Sequence, residues 1–246
     1  MAWQNYPFLF PLFVSGSLTI AIGMIAWRRR RQAATARSMA VLLLGASIWA
    51  FSNAGMLLSQ SVSVWLPWSY CNYIGIVLIP AAWLVYVCQV TGKEHWLTRN
   101  RLLLYAIEPA LVLIAIWTND YHHLFYTGFM REFNGLFPVI RAQYGALFWI
   151  HAAYSNVVLL IGFLLLLNGL VRQRSVYRAQ YLTVLIGALV PWIGNLLFLF
   201  RLFPWGNIDI TPVLFSVTGI LYFWALFRYQ LFELSPIARD RLIEVM

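Results

Sequence analysis

Apolar runs of about twenty residues recur along the whole chain, and they constrain the fold more than any other feature. A transmembrane helix needs about 20 apolar residues to cross a hydrocarbon core of about 30 Å. The strands of a membrane barrel would instead be short segments of alternating polarity. Only 10% of the residues are charged, against about 25% in soluble domains. The pattern predicts an all-α integral membrane protein.

Seven membrane-spanning helices can be drawn, which makes the predicted architecture a seven-transmembrane helix bundle. Their approximate bounds are Tyr6–Trp27, Ser38–Ser59, Leu66–Val90, Leu102–Thr118, Tyr144–Leu170, Ala179–Phe200 and Ile210–Phe227. Of the 17 lysine and arginine residues, all but Arg131, Arg141 and Arg201 lie after spans one, three and five or in the C-terminal tail. By the positive-inside rule this asymmetry predicts that the N-terminus is outside and the C-terminus is cytoplasmic.

Hydrogen-bonding side chains fall at one depth in the outer half of several predicted spans. Counting about 1.5 Å per residue from the span ends places an asparagine or a histidine of four spans at this level. The long outer connection from Asn119 to Gln143 would cover them. We therefore predict a ligand pocket that opens outward and is formed by Asn53, Asn72, Asn119, His122, His123, His151, Asn195 and Asp209. The alternative is that these side chains only join packed helices through hydrogen bonds.

Glu108 and Pro109 lie on span four, closer to the inner end that Arg101 marks. A carboxyl group at this depth is expected to be neutral, paired or open to a water-filled cleft. Prolines within spans free a carbonyl group and permit bends, which either serve as hinges or only shape the helix. We assign a role in signal transmission to a set of residues in spans four and six and in the tail: Glu108, Pro109, Pro191, Arg228, Pro236 and Arg239.

The C-terminal tail begins a further helix after the last span. Ser235 before Pro236 has the pattern of a helix N-cap followed by proline at the first helical position. The residues that follow, 237–245, place an apolar stripe on one face. We predict a sensor domain over residues 1–228 and a cytoplasmic connector helix over residues 229–246 that leads to an output module. An amphipathic helix lying on the bilayer is the alternative.

Several function classes find no support in the residues. The adjacent pair His122 and His123 lacks the i, i+4 spacing of a helical metal site, so no metal site is predicted. The single lysine, Lys93, lies in an inner loop, so no buried lysine is available to bind retinal. No catalytic motif is present, and neither an enzyme nor a cofactor is expected. The net charge of +9 is spread over short loops, which favours anionic lipid headgroups over nucleic acid as partners.

Short motifs spread along the chain resemble those of a known family, the seven-transmembrane N-terminal sensor region of bacterial histidine kinases, which also precedes diguanylate cyclase modules. The matching residues are Pro80-Ala-Ala-Trp83-Leu84, Thr91-Gly92, Glu108-Pro109, Thr118-Asn119, His122-His123-Leu124, Trp149, His151, Tyr154, Pro191, Asp209-Ile-Thr211-Pro212 and the stretch from Ala225 to Asp240. The order and spacing of these motifs carry the resemblance.

The resemblance implies a receptor in the bacterial cytoplasmic membrane that passes an extracellular or intramembrane ligand signal to a cytoplasmic helix. The ligand would be a small molecule or a lipid. A homodimer and a following kinase, PAS or cyclase module are expected partners. The alternative function is a small transporter or channel-like protein that uses Glu108 in its path.

Overall fold

The computed structural model describes residues 6–133, 138–172, 175–202 and 208–228. In chain order the helices are α1 Tyr6–Arg28, α2 Ala34–Leu58, α3 Val62–Val90, α4 Arg99–Trp117, α5 Asn119–His122, α6 Ala146–Arg172, α7 Ser175–Leu199 and α8 Thr211–Arg228. Two strands, β1 Tyr126–Phe133 and β2 Pro138–Tyr144, lie between α5 and α6. The predicted connector helix, with Pro236 and Arg239, falls outside the described residues.

The predicted helical membrane bundle is confirmed. Six described helices, α1 to α4, α6 and α7, are long and apolar enough to cross a membrane. The seventh, α8, contributes a shorter apolar segment, Thr211–Trp224. The predicted start of span five at Tyr144 is wrong by two residues, because Tyr144 pairs with Tyr126 across the two strands and α6 begins only at Ala146. Membrane orientation stays a prediction.

Helices α2 and α3 form the centre of the bundle. They approach closely where two glycines face each other, since a Cβ atom added to Gly75 would lie 2.5 Å from the carbonyl oxygen of Gly45. Small residues at such crossings let helix backbones pack tightly in a membrane. By contrast α4 is peripheral, and Val112 and Ile116 are its only buried residues.

Hydrogen bonds to backbone carbonyls join α8 to its neighbours. The Ser15 hydroxyl of α1 donates to the carbonyl of Pro212 at 2.6 Å, and the Tyr222 hydroxyl donates to the carbonyl of Val184 in α7 at 3.0 Å. Both contacts are buried, where a hydrogen bond contributes most to helix association. They fix α8 between α1 and α7.

The outer connection folds into an antiparallel hairpin, a two-stranded addition to the predicted all-helical fold. Asn119 organises its start: the side-chain amide donates to the carbonyl of Tyr126, and its oxygen accepts from the N–H groups of Phe125 and Tyr126. An ion pair of 2.8 Å between Arg141 and Glu132 links the two strands. The hairpin packs on α3 through a 2.7 Å hydrogen bond between the hydroxyls of Tyr126 and Ser69.

Candidate ligand cavity

A cavity of about 220 Å³ lies among α2, α3, α6, α7 and α8, beneath the hairpin. Five residues predicted from the sequence to bind a ligand line it: Asn53, Asn72, His151, Asn195 and Asp209. The first four lie in α2, α3, α6 and α7, in that order, and Asp209 lies two residues before α8. The helical rise had placed them at one depth, and the packing of the helices brings them around one space. That they bind a ligand stays a prediction.

Three buried polar atoms in this lining have no hydrogen-bond partner among the described residues. They are the Oδ1 of Asn72, the indole Nε1 of Trp49 and the Oγ1 of Thr211. The exposed fractions of these residues are 5%, 6% and 1%. An unpaired buried polar group costs about 1–3 kcal/mol, and nearly all such groups in folded proteins find a partner. A molecule inside the cavity would supply these partners.

Aromatic side chains form about a third of the wall. They are Trp49, Trp65, Tyr73, Trp83, Tyr126, Tyr144, Phe148, Trp149, Trp192, Phe198, Phe215 and Tyr222. Two of the tryptophans are satisfied, since Trp192 donates to the Asn156 side chain at 2.9 Å and Trp83 donates to the carbonyl of Leu159 at 3.3 Å. The cavity therefore combines large apolar faces with a small number of polar groups, as small-molecule sites do.

Asp209 is the acidic residue of the lining, and it lies just before α8. Its Oδ1 accepts a hydrogen bond of 2.9 Å from the backbone N–H of Thr211, the first residue of the helix. The positive end of the helix dipole favours a carboxylate at this place. Burial nevertheless raises the pKa of Asp209 to about 6, although the backbone hydrogen bond from Thr211 and the polar side-chain groups of Thr211 and Trp49 near the carboxylate partly oppose the rise. No cation of the described residues lies within ion-pair distance of it.

His151 connects the cavity to α4. Its Nδ1 lies 2.7 Å from the Oε1 of Glu108, and its Nε2 lies 3.5 Å from the Ser155 hydroxyl. From its position in the sequence, Glu108 was predicted to lie nearer the inner end, away from the outer polar layer. The structure brings the two together, because α4 has only 19 residues and Glu108 lies near its middle. Glu108 does not line the cavity itself.

The other predicted site residues take different places. Asn119, His122 and His123 do not line the cavity, because the hairpin rather than the histidine turn covers it. The Asn119 side chain is hydrogen-bonded to the hairpin backbone, and the Nδ1 of His122 accepts a hydrogen bond from the N–H of Leu124 at 2.9 Å. His123 is exposed, with a left-handed backbone angle φ of 52° that ends α5.

Of the residues predicted to transmit a signal, Pro109 lies within α4 and Pro191 lies within α7, where Pro191 also lines the cavity. Arg228 ends α8, and its side chain is outside the described part of the structure.

Trp49, Thr211 and Asn156 line the cavity but were not predicted as site residues from the sequence. Trp49 precedes Asn53 by four residues on α2, a spacing that puts both on one helix face. That spacing was the available signal. Among the described residues no group of three or more His, Cys, Asp or Glu side chains is placed to hold a metal ion.

Two comparisons with known proteins bear on this chain. A family model described as the N-terminal 7TM region of histidine kinase matches residues 11–236. The matched region contains α2 to α8, the hairpin and every residue of the cavity lining. No curated protein matches the chain.

Proposed function

Because the chain belongs to the family of N-terminal seven-transmembrane regions of histidine kinases, we propose that it is a ligand-sensing domain whose ligand enters the outer cavity. The chain is a multi-pass membrane protein and a sensor region rather than a catalytic one. The observation that carries the proposal is the set of three buried, unpaired polar atoms facing one cavity. A ligand that pairs with these atoms would supply hydrogen bonds that the described residues do not.

The position of Thr211 supports a route from the cavity to the output. This residue is the first of α8, and its unpaired hydroxyl faces the cavity. Asn72 and Trp49 line the same cavity from the central helices α3 and α2. A ligand bonded to Thr211 and to a central helix would bias the position of α8 relative to the centre of the bundle. Such a bias shifts a conformational equilibrium only if the ligand binds the two states unequally.

The last helix then passes the change to the tail. In this proposal residues 229–246 form a connector in the cytoplasm that joins a kinase, PAS or cyclase module, and two copies of the chain pair so that their connectors act together. The arginine-rich inner loops and the family support this arrangement. Pro191, which lines the cavity within α7, would let that helix bend with α8.

A chimera tests the proposal. The chain is fused at its C-terminus to a histidine kinase module, and autophosphorylation is measured in membranes with and without conditioned culture medium. We expect the medium to change the phosphorylation rate. A variant that fills the cavity, Ala152→Leu, should remove the response, because Ala152 lines the cavity on α6.

The matched control is Ala153→Leu, which adds the same volume one residue along α6 at an exposed position. This variant should keep the response of the unchanged chimera. If Ala152→Leu responds as fully as Ala153→Leu, the stimulus does not enter the cavity and the proposed site is wrong.

A further inference from the structure

Two hydrogen-bond acceptors in the cavity can each accept a further donor. The Oδ1 of Asn72 is unpaired, and the carboxylate of Asp209 holds one backbone N–H but no cation among the described residues. A half-buried carboxylate without a cation is costly, because burial removes the water that would otherwise stabilise its charge. The cavity thus favours a ligand that donates hydrogen bonds and carries positive charge.

The two arginines of the lining do not change the preference of the cavity for a positively charged ligand. Arg141 is already neutralised by its 2.8 Å ion pair with Glu132 on the hairpin. Arg201 is exposed to solvent, where its charge is strongly screened. Neither forms an ion pair with Asp209. An anionic ligand would meet the carboxylate without a free, buried cation to offset the repulsion.

Aromatic side chains lie near the carboxylate of Asp209. The hydroxyls of Tyr73 and Tyr144 interact electrostatically with the Asp209 carboxylate, and the indole of Trp49 lies beside that carboxylate. The faces of such rings attract cations, by about 2 kcal/mol or more where water is excluded. The same rings pack against apolar groups, so they accept the body of a ligand as well as its charged end.

From these features we infer that the ligand is a protonated amine on a small apolar or aromatic body, with its ammonium group at Asp209 and Asn72. The inference rests on the proposed function of the cavity and names the chemical class of its ligand. The volume of about 220 Å³ suits a molecule built around one ring.

Three probes of similar shape test whether the cavity prefers a positively charged ligand. They are phenethylamine, the neutral phenethyl alcohol and the anionic hydrocinnamate, added to the full chain in lipid nanodiscs at neutral pH. The thermal unfolding midpoint is measured against probe concentration. We expect phenethylamine to stabilise the chain at concentrations about tenfold to a hundredfold lower than the alcohol, as a charge-assisted hydrogen bond allows. Hydrocinnamate should have the weakest effect.

The variant Asp209→Asn should fold, since an asparagine oxygen can still accept from the N–H of Thr211, and it should remove the preference for the amine over the alcohol. The matched control is Asp120→Asn, which removes the same charge from an exposed position in α5. This control should keep the preference of the unchanged chain.

Equal effects of the amine and the alcohol would overturn the inference, as would an amine preference that survives in Asp209→Asn. If the alcohol or the acid binds best and Ala152→Leu blocks it, the ligand class is wrong while the cavity remains a ligand site. If none of the probes stabilises the chain, the amine class is also wrong, and the kinase chimera decides the sensor proposal independently.

Discussion

Asn72 and Asn119 are both 5% exposed, yet their side chains are in opposite situations. Asn119 makes three hydrogen bonds with the backbone of Phe125 and Tyr126. The Oδ1 of Asn72 makes none within the described structure. At the residue scale this contrast distinguishes a side chain whose hydrogen bonds hold the fold from one whose oxygen is unpaired, which is the one we propose to bind a ligand.

Leucine has the same number and branching of side-chain heavy atoms as asparagine but cannot form its hydrogen bonds, so the same substitution at both positions tests this distinction. Asn119→Leu should lower the free energy of unfolding by about 2–4 kcal/mol, because it leaves buried backbone groups of the hairpin unpaired. Asn72→Leu should change it by less than about 1 kcal/mol, because no hydrogen bond to its oxygen is lost. Unfolding in mixed detergent micelles measures both values.

An equally large loss in Asn72→Leu would contradict the ligand-site interpretation. It would instead support the alternative from the sequence, in which the intramembrane asparagines join the helices. The comparison therefore decides between the two interpretations of the polar layer before any ligand is known.

At the scale of elements, α4 is held to the bundle by few polar contacts. Glu108 meets His151 at 2.7 Å, and the Tyr154 hydroxyl donates to the carbonyl of Tyr105 at 3.2 Å. Most other residues of α4 are exposed. Because His151 also lines the cavity, the contact with Glu108 joins the cavity to a helix that can move with little loss of packing.

We predict that Glu108→Ala increases amide hydrogen exchange in α4 by about tenfold or more, since a loss of about 1.4 kcal/mol already changes an opening equilibrium tenfold. Glu108→Gln should have a smaller effect, because an amide keeps a hydrogen bond to the imidazole. Mass spectrometry of peptides from residues 99–117 provides the measurement.

The control for this prediction is Glu94→Ala, which removes an exposed carboxylate in the short 3-10 turn Glu94–Trp96 and should leave α4 unchanged. Equal exchange in Glu108→Ala and the unchanged chain would show that the pair does not hold α4. If the unchanged chain carries a solute across proteoliposome membranes and Glu108→Gln abolishes this flux, the transporter alternative is supported instead.

At the scale of the whole molecule, the sensor proposal depends on the direction in which the bundle crosses the membrane. All lysines and arginines except Arg131, Arg141 and Arg201 lie at the predicted inner side. The first two of these exceptions are on the hairpin, whose second strand lines the cavity. This distribution favours a cavity that faces outward and a tail that lies inside.

Reporters fused after Met246 test the orientation in bacterial cells. We expect a fluorescent protein that matures only in the cytoplasm to be bright, and a phosphatase that is active only in the periplasm to be inactive. The opposite pair of results would invert the topology, and the proposed passage of a signal into the cell would then fail.

Much of this architecture follows from local features of the sequence. The length of each apolar run fixes a membrane-crossing helix, because a bilayer of about 30 Å requires about 20 residues at a rise of about 1.5 Å each. The same rise gave the depth of Asn53, Asn72, His151 and Asn195, and these four residues line one cavity. Depth along a helix is a local property that counting residues can supply.

The neighbours of each side chain depend on how the helices rotate and pack, and only the tertiary structure decided them. The side chain of Asn119 holds the start of the hairpin through hydrogen bonds, whereas Glu108 in α4 contacts His151 in α6, a helix that is distant in sequence. The hairpin formed from cross-strand pairs that apolar periodicity does not reveal. The physical reason is that hydrogen-bond partners are set by packing between distant segments, while the spacing of apolar residues reports only the segment that contains them.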